Sequence, residues 1–180
     1  QYALVGEPTS VNSLGDTVKT GRRGSLSGHV TIVGKQSHVA YAEHNVNPIF
    51  ALSQFIHDAK TCVWDEGFEN FPATQFCVTS LESQSPASNV TPARASCHFN
   101  FRFSPASTHA SLKKQVNDML EDSGLHFEIK WALPSHAFYK KPGYLTKQVI
   151  ESIATICDIE ATLSTSGGTS DARFLAAHVE

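Results

Sequence analysis

The chemistry in this sequence gathers in short polar stretches set beside apolar ones. Glu7, in Gly6-Glu7-Pro8, places a carboxylate just past the apolar Tyr2-Ala3-Leu4-Val5. If residues 2–5 form a buried strand, that carboxylate sits where open α/β sheets bind ligands. There it can ligate a cation such as Zn²⁺, or simply stand in solvent. Gly21-Arg22-Arg23-Gly24 sets two guanidiniums between glycines, whose planar forks suit a carboxylate ligand and equally suit a salt bridge between two units of the fold. His38, in Ser37-His38-Val39-Ala40-Tyr41, falls in a predicted loop. An imidazole there can donate to a developing oxyanion or be an ordinary surface group. Asn89 and Arg102 read either as ligand contacts or as a turn cap and a solvated strand face. Gly167-Gly168-Thr169-Ser170-Asp171 brings backbone amides to a predicted helix start, an arrangement suited to a carboxylate or phosphate. It lacks the Gly-Lys-Ser/Thr element of a phosphate-binding Walker loop, and no His-Glu-x-x-His metal motif occurs anywhere.

Hydrophobic periodicity supplies the frame for these groups. Leu26, Gly28, Val30 and Ile32 alternate with polar neighbours, the period of a half-buried strand. Pro48 opens a helical stripe of Ile49, Leu52, Phe55, Ile56 and Ala59. Strand-like residues return over 74–81, and residues 95–103 put Ala95, Cys97, Phe99, Phe101 and Phe103 on one face. A second helix begins after Ser107 or Thr108, with Leu112, Val116, Met119 and Leu120 as its stripe, and ends at Gly124. A last strand carries Phe127, Ile129, Trp131 and Leu133. That order, β-α-β-β-α-β, predicts an α+β, ferredoxin-like unit over residues 24–136. Residues 1–23 and 137–180 are expected to be parts of a second, α/β unit. It would hold a helix with Leu145, Val149, Ile150, Ile153 and Ile156, a strand over 160–163, and a helix over 171–177. With a strand opening the chain and a helix closing it, the sequence reads as part of a longer protein.

Of the 180 residues, 41% are apolar and 17% charged, with a net charge of −3. These values fit a folded globular chain and carry no basic footprint for nucleic acid. No apolar run is long enough to span a bilayer, so neither nucleic acid nor membrane is an expected partner. The aromatic strand residues share a face with Cys97 and Ala95, which makes them core rather than an RNA-stacking platform. Cys62, Cys77, Cys97 and Cys157 show no Cys-x-x-Cys spacing and read as buried, reduced thiols.

Read together and in order, several motifs carry a resemblance. They are Val5-Gly-Glu-Pro-Thr9, Gly15-Asp16, Lys19-Thr-Gly-Arg-Arg-Gly-Ser-Leu26, Gly34-Lys-Gln-Ser-His-Val-Ala-Tyr41, Val63-Trp-Asp-Glu-Gly67, Phe71-Pro-Ala-Thr74, Phe99-Asn-Phe-Arg-Phe103 and Ser166-Gly-Gly-Thr-Ser-Asp-Ala-Arg-Phe174. Over essentially its whole length the chain resembles the aminoacylase and carboxypeptidase-type di-zinc hydrolases, in particular their desuccinylase branch. The resemblance implies a ferredoxin-like dimerisation domain inserted in a zinc-hydrolase catalytic domain. It further implies cytoplasmic hydrolysis of the amide of N-succinyl-L,L-diaminopimelate, in a homodimer with two zinc ions per active site and cobalt as a possible substitute. On the same basis Glu7 is a zinc ligand, and His38 crosses the dimer interface to stabilise the oxyanion in the partner's site. Arg22, Ser25, Tyr41, Asn89, Arg102, Gly168 and Thr169, with the amide of Gly167, are the implied substrate contacts. Tyr41 and Asn89 also reach the neighbouring site.

The sequence departs from that pattern in two places. Ala42-Glu43 stands where the family often has Pro-His, and Ser85-Pro86-Ala87-Ser88 replaces a more Gly-rich turn. The family's remaining zinc ligands and its glutamate base align outside residues 1–180. A catalytic zinc takes about three protein ligands, so the chain by itself is expected to be catalytically silent. The alternatives are a related N-deacylase, such as one acting on N-acetylornithine, and a chain that serves only as a self-association module.

Overall fold

The computed structural model describes residues 1–41 and 46–179, so Ala42-Glu43 lies outside the described residues. Along the chain run β1 (Thr17–Lys19), β2 (Gly21–Arg22), β3 (Gly24–Val33), α1 (Pro48–Thr61), β4 (Gln75–Ser83), β5 (Arg94–Phe103), α2 (His109–Glu121), β6 (His126–Trp131), β7 (Phe138–Tyr139), α3 (Tyr144–Cys157), β8 (Thr162–Ser164) and α4 (Ala172–Leu175). Strands β3 to β6 form one antiparallel sheet in the spatial order β4-β5-β3-β6. With α1 and α2 this is the expected β-α-β-β-α-β arrangement.

The alternation read in the sequence decides which face is buried. Leu26, Val30 and Ile32 from β3 join Ala95, Cys97, Phe99, Phe101 and Phe103 from β5 in a core capped by Leu52, Phe55 and Ala59 of α1 and Leu112, Val116 and Leu120 of α2. Trp64 packs edge-on against Phe101 with ring centroids 4.6 Å apart. Burying a large aliphatic or aromatic side chain is worth about 1.5–3 kcal/mol, so this cluster dominates the stability of the unit. The helix starts follow local chemistry. The Asn47 side chain accepts from the Ile49 amide ahead of Pro48, and Thr108 closes a capping box with Ser111.

The flanking segments form a smaller assembly. Strand β1 pairs in parallel with β8, and β2 pairs antiparallel with β7. Four expectations change here. Residues 2–5 are not a strand: no described strand pairs with them, and Tyr2 and Leu4 are exposed. Strand β6 stops at Trp131 where Ala132 bonds back to Ser27, leaving Leu133 fully in solvent. Ile156 likewise projects from α3 into solvent. The thiols also divide, because Cys77 points from the edge strand β4 and is exposed, whereas burial pushes the Cys97 thiol up to about 12.

Asp65, in the connection between α1 and β4, gathers donors from both sides of the unit. Its carboxylate accepts from the Gly67 and Thr74 amides and from the hydroxyls of Thr74, Ser107 and Ser104. Burial works to raise its pKa, but the hydrogen bonds from Ser107, Thr74 and Gly67 together outweigh it and hold the carboxyl below the usual range. A folded-state pKa below the unfolded value adds stability that is present above about pH 4 and vanishes as pH falls through the folded value. Urea unfolding over a series of pH values should therefore show Asp65→Asn less stable than the parent at neutral pH. The parent should lose that advantage progressively below about pH 4.

Candidate active site

One group of the sequence-predicted residues converges where β1, β2 and the turn after β8 meet. Glu7 lies in the loop before β1, and Arg22 ends β2. The Glu7 Oε1 atom accepts from Ser170 Oγ at 2.9 Å and from the Asp171 amide at 3.2 Å. Its Oε2 stands 3.6 Å from Arg22 Nη2. Arg22 is buried, and its Nη1 donates to the Ser166 carbonyl at 3.3 Å. Gly167 lies against that guanidinium with φ of +99°, and a Cβ there would come within 2.7 Å of Nη1. The positive φ is what favours glycine here. Gly168 and Thr169 continue the same turn, Gly168 exposed and Thr169 half-buried.

The turn over residues 167–171 was expected to be an anion site at a helix start, and the structure corrects that reading. Helix α4 has a single turn, Asp171 makes no side-chain cap, and the Ala172 amide donates instead to Ser170 Oγ. The anion the turn holds is the carboxylate of Glu7. The sequence assigned no role to Ser170 towards Glu7, nor to Lys19, whose Nζ donates to Ser164 Oγ at 3.0 Å and Ser166 Oγ at 2.9 Å. Burial, and then the nearby Arg22 charge, lower the Lys19 pKa. Only the parallel register Lys19↔Ser164 brings these groups together across 145 residues. A cleft of about 390 Å³ opens beside Glu7 and Arg22, walled by Val5, Leu14, Leu145, Val149 and Ile153.

Ser25 and Arg102 face each other across the β3–β5 ladder at the Arg22 end of the sheet. Ser25 Oγ accepts from Asn100, while burial, and then the Arg102 charge, lower the Arg23 pKa. His38, Tyr41 and Asn89 gather at the opposite end. The His38 backbone bridges to Val90, and the Val39 amide donates to the Asn89 carbonyl. The Ala40 amide donates to His38 Nδ1 at 3.1 Å, and the Asn89 side-chain amide lies 3.0 Å from Nε2. The Asn89 atom beside Nε2 is its amide nitrogen Nδ2, and the imidazole tautomer sets which of the two donates. The Tyr41 ring packs on the imidazole with centroids 5.9 Å apart.

The two groups are divided by the length of β3. Its 10 residues at about 3.3 Å each span roughly 30 Å. Among the described residues, no three of His, Cys, Asp and Glu come together to hold a metal ion. Both oxygens of Glu7 are already engaged, so the described residues do not fit a zinc centre by themselves. At the Arg22 node, losing a hydrogen-bonded charge partner typically costs about 1.5–3 kcal/mol. Urea unfolding of Arg22→Leu should register a loss in that range, with Arg22→Lys intermediate because it keeps the charge without the second bond.

Several known proteins are similar to this chain. A succinyl-diaminopimelate desuccinylase of Nitrosomonas eutropha is 44% identical over 175 residues, covering 97% of this chain and 46% of that protein. Another, of Bordetella petrii, is 46% identical over the same shares of each chain. The chain thus spans about half the length of the relatives it matches. Among solved structures, aminopeptidase PepT from Bacillus cereus superposes with a TM-score of 0.70 at 18% identity, over 92% of this chain and 44% of that one. A hydantoinase/carbamoylase family amidase from Burkholderia multivorans gives 0.67 at 19% identity, over 89% and 39%; these two show a shared fold. No helix among the described residues is long and apolar enough to cross a membrane. A family model described as peptidase dimerisation domain matches residues 20–128, which is more than half of the sequence and takes in the whole β3–α2 order, and on that match the chain belongs to the peptidase dimerisation domain family.

Proposed function

We propose that this chain serves the hydrolysis of the amide of N-succinyl-L,L-diaminopimelate to succinate and L,L-diaminopimelate. The observation that carries this reading is the 44–46% identity, across 97% of the chain, to proteins named succinyl-diaminopimelate desuccinylase. In this reading residues 24–136 are the dimerisation domain of a cytoplasmic homodimer, and residues 1–23 and 137–180 belong to its catalytic domain. In the complete site two zinc ions, replaceable by cobalt, would supply the Lewis acid. Glu7, once released from its present partners, would be the one ligand the described residues contribute; the remaining side chains bind, orient and donate protons.

A dicarboxylate substrate needs separate anion contacts, and the Arg22 end of the sheet offers them. Arg22, when Glu7 leaves it, takes one carboxylate with Thr169, and Arg102 with Ser25 takes the other. Guanidinium forks bind carboxylates with two parallel bonds, which sets orientation as well as affinity. His38 donates a ring proton to the developing oxyanion, with Asn89 and Tyr41 packed against the imidazole. The roughly 30 Å between the two groups supports the idea that His38, Tyr41 and Asn89 serve the site of a second copy.

Amine release from N-succinyl-L,L-diaminopimelate with added Zn²⁺ tests the reading. The chain is assayed beside a version extended with the flanking sequence of its relatives. Release by the extended protein is expected, with silence in the shorter one. Release from N-acetylornithine but not from the succinyl substrate would replace the substrate and keep the reaction. In the extended enzyme His38→Ala should cut kcat by a barrier of about 2–4 kcal/mol with little change in KM, and an unchanged kcat would remove His38 from the mechanism. Light scattering of this chain at micromolar concentration should report a dimer; a strict monomer counts against the cross-subunit role.

A further inference from the structure

The inserted unit is joined to the flanking assembly by two covalent crossings, Arg23 between β2 and β3 and residues 132–137 between β6 and β7. The Ser25 and Ser135 amides exchange backbone bonds at 2.8 Å where these crossings run side by side. Two neighbouring connections define a line, and rotation about that line stays free until a third contact off it sets the angle. The loop between α1 and β4 makes such a contact.

Its root is fastened to the inserted unit by the Ser104 and Ser107 hydroxyls that donate to Asp65, and by Trp64, whose Nε1 donates to the Ala59 carbonyl at 3.0 Å. Its tip is a tight turn, with Phe68 and Phe71 exchanging backbone bonds. That tip lies on the flanking assembly. Asn70 Nδ2 donates to Tyr139 Oη at 2.9 Å, and Thr165 Oγ1 donates to the Asn70 carbonyl at 2.5 Å. Phe71 is buried, with its ring edge-on to Tyr139 at 5.8 Å. A Cβ on Gly21 would meet Phe71 Cζ at 3.1 Å and the Phe138 carbonyl at 2.5 Å, so the ring seats on bare backbone. The two elements it grips lead directly into the site, because Gly21 precedes Arg22 and Thr165 precedes Ser166, the carbonyl partner of Arg22.

We propose that the loop over residues 65–74 is a latch, with Asn70 and Phe71 as positioning residues. Docked on Tyr139, Thr165 and Gly21, it fixes the angle between the two units and holds the Arg22 guanidinium against the turn at Gly167. Its action does not depend on which ligand Arg22 takes, so the test is separate from the substrate assay.

Amide hydrogen exchange of the whole 180-residue chain reads the latch directly. Thr165→Val removes the hydroxyl donor at constant shape, and Thr165→Ser retains it. Loss of one hydrogen bond corresponds to roughly three- to tenfold faster opening. That acceleration is expected in the Val variant at the crossing amides of Ser25 and Ser135 and in the turn over 166–168. The β3–β5 ladder should keep its native rates, and the Ser variant should restore native rates throughout. Phe71→Leu, which leaves both hydrogen bonds possible, should accelerate the same amides. Native rates at the crossings in both the Val and Leu variants would overturn the proposal. So would equal acceleration of the crossings and the β3–β5 core, which would make the contact one of general stability.

Discussion

The separation of the two candidate groups depends on the register of β3 between β5 and β6. The strand is hydrogen-bonded along both edges and buries Leu26, Val30 and Ile32 on one face. A slip of one residue would turn that whole set to solvent, so the register is held by the core itself. Because it is held, Ser25 stands opposite Arg102 at one end and the chain leaves the other end towards His38 at a set distance. The same strand that forms the core thus acts as a ruler for the polar residues at its two tips.

At the near tip the organising group is the buried Arg22. A guanidinium taken out of water requires partners, and this one finds the Glu7 carboxylate and the Ser166 carbonyl. Those partners belong to segments far apart in sequence, so the charge ties the loop before β1 to the turn after β8. Glu7 is in turn shared by Ser170 and the Asp171 amide. The turn at residues 167–171 was legible as an anion-binding element from its glycines and its Ser-Asp pair. That the anion comes from the same chain was not legible, since nothing in the local spacing links Glu7 to a segment 163 residues later.

Elements with a long hydrophobic period were readable because packing and periodicity agree. Strand β5 alternates as its Phe residues do, and α2 buries the stripe Leu112, Val116 and Leu120. The two-residue strands β2 and β7 gave no such signal, being too short for a period and defined only by each other. The apolar residues 2–5 misled for the converse reason: composition favoured a strand, but a strand exists only with a paired neighbour. Leu133 and Ile156 extended real patterns onto positions that the fold leaves facing solvent.

The family resemblance, the β-α-β-β-α-β order and the identity of the polar candidates are properties of the linear sequence, because alternation, caps and motif spacing are local. What the tertiary structure decided is which candidates meet. It sorted them into an Arg22 group and a His38 group at the two ends of one strand, turned Ser170 onto Glu7, and enlisted Lys19 and Asn70, which no spacing pointed to. It did so because the parallel β1–β8 pairing and the docking of the loop at Phe71 join residues far apart in the chain. Those contacts are non-local, so no local spacing in the sequence encodes them.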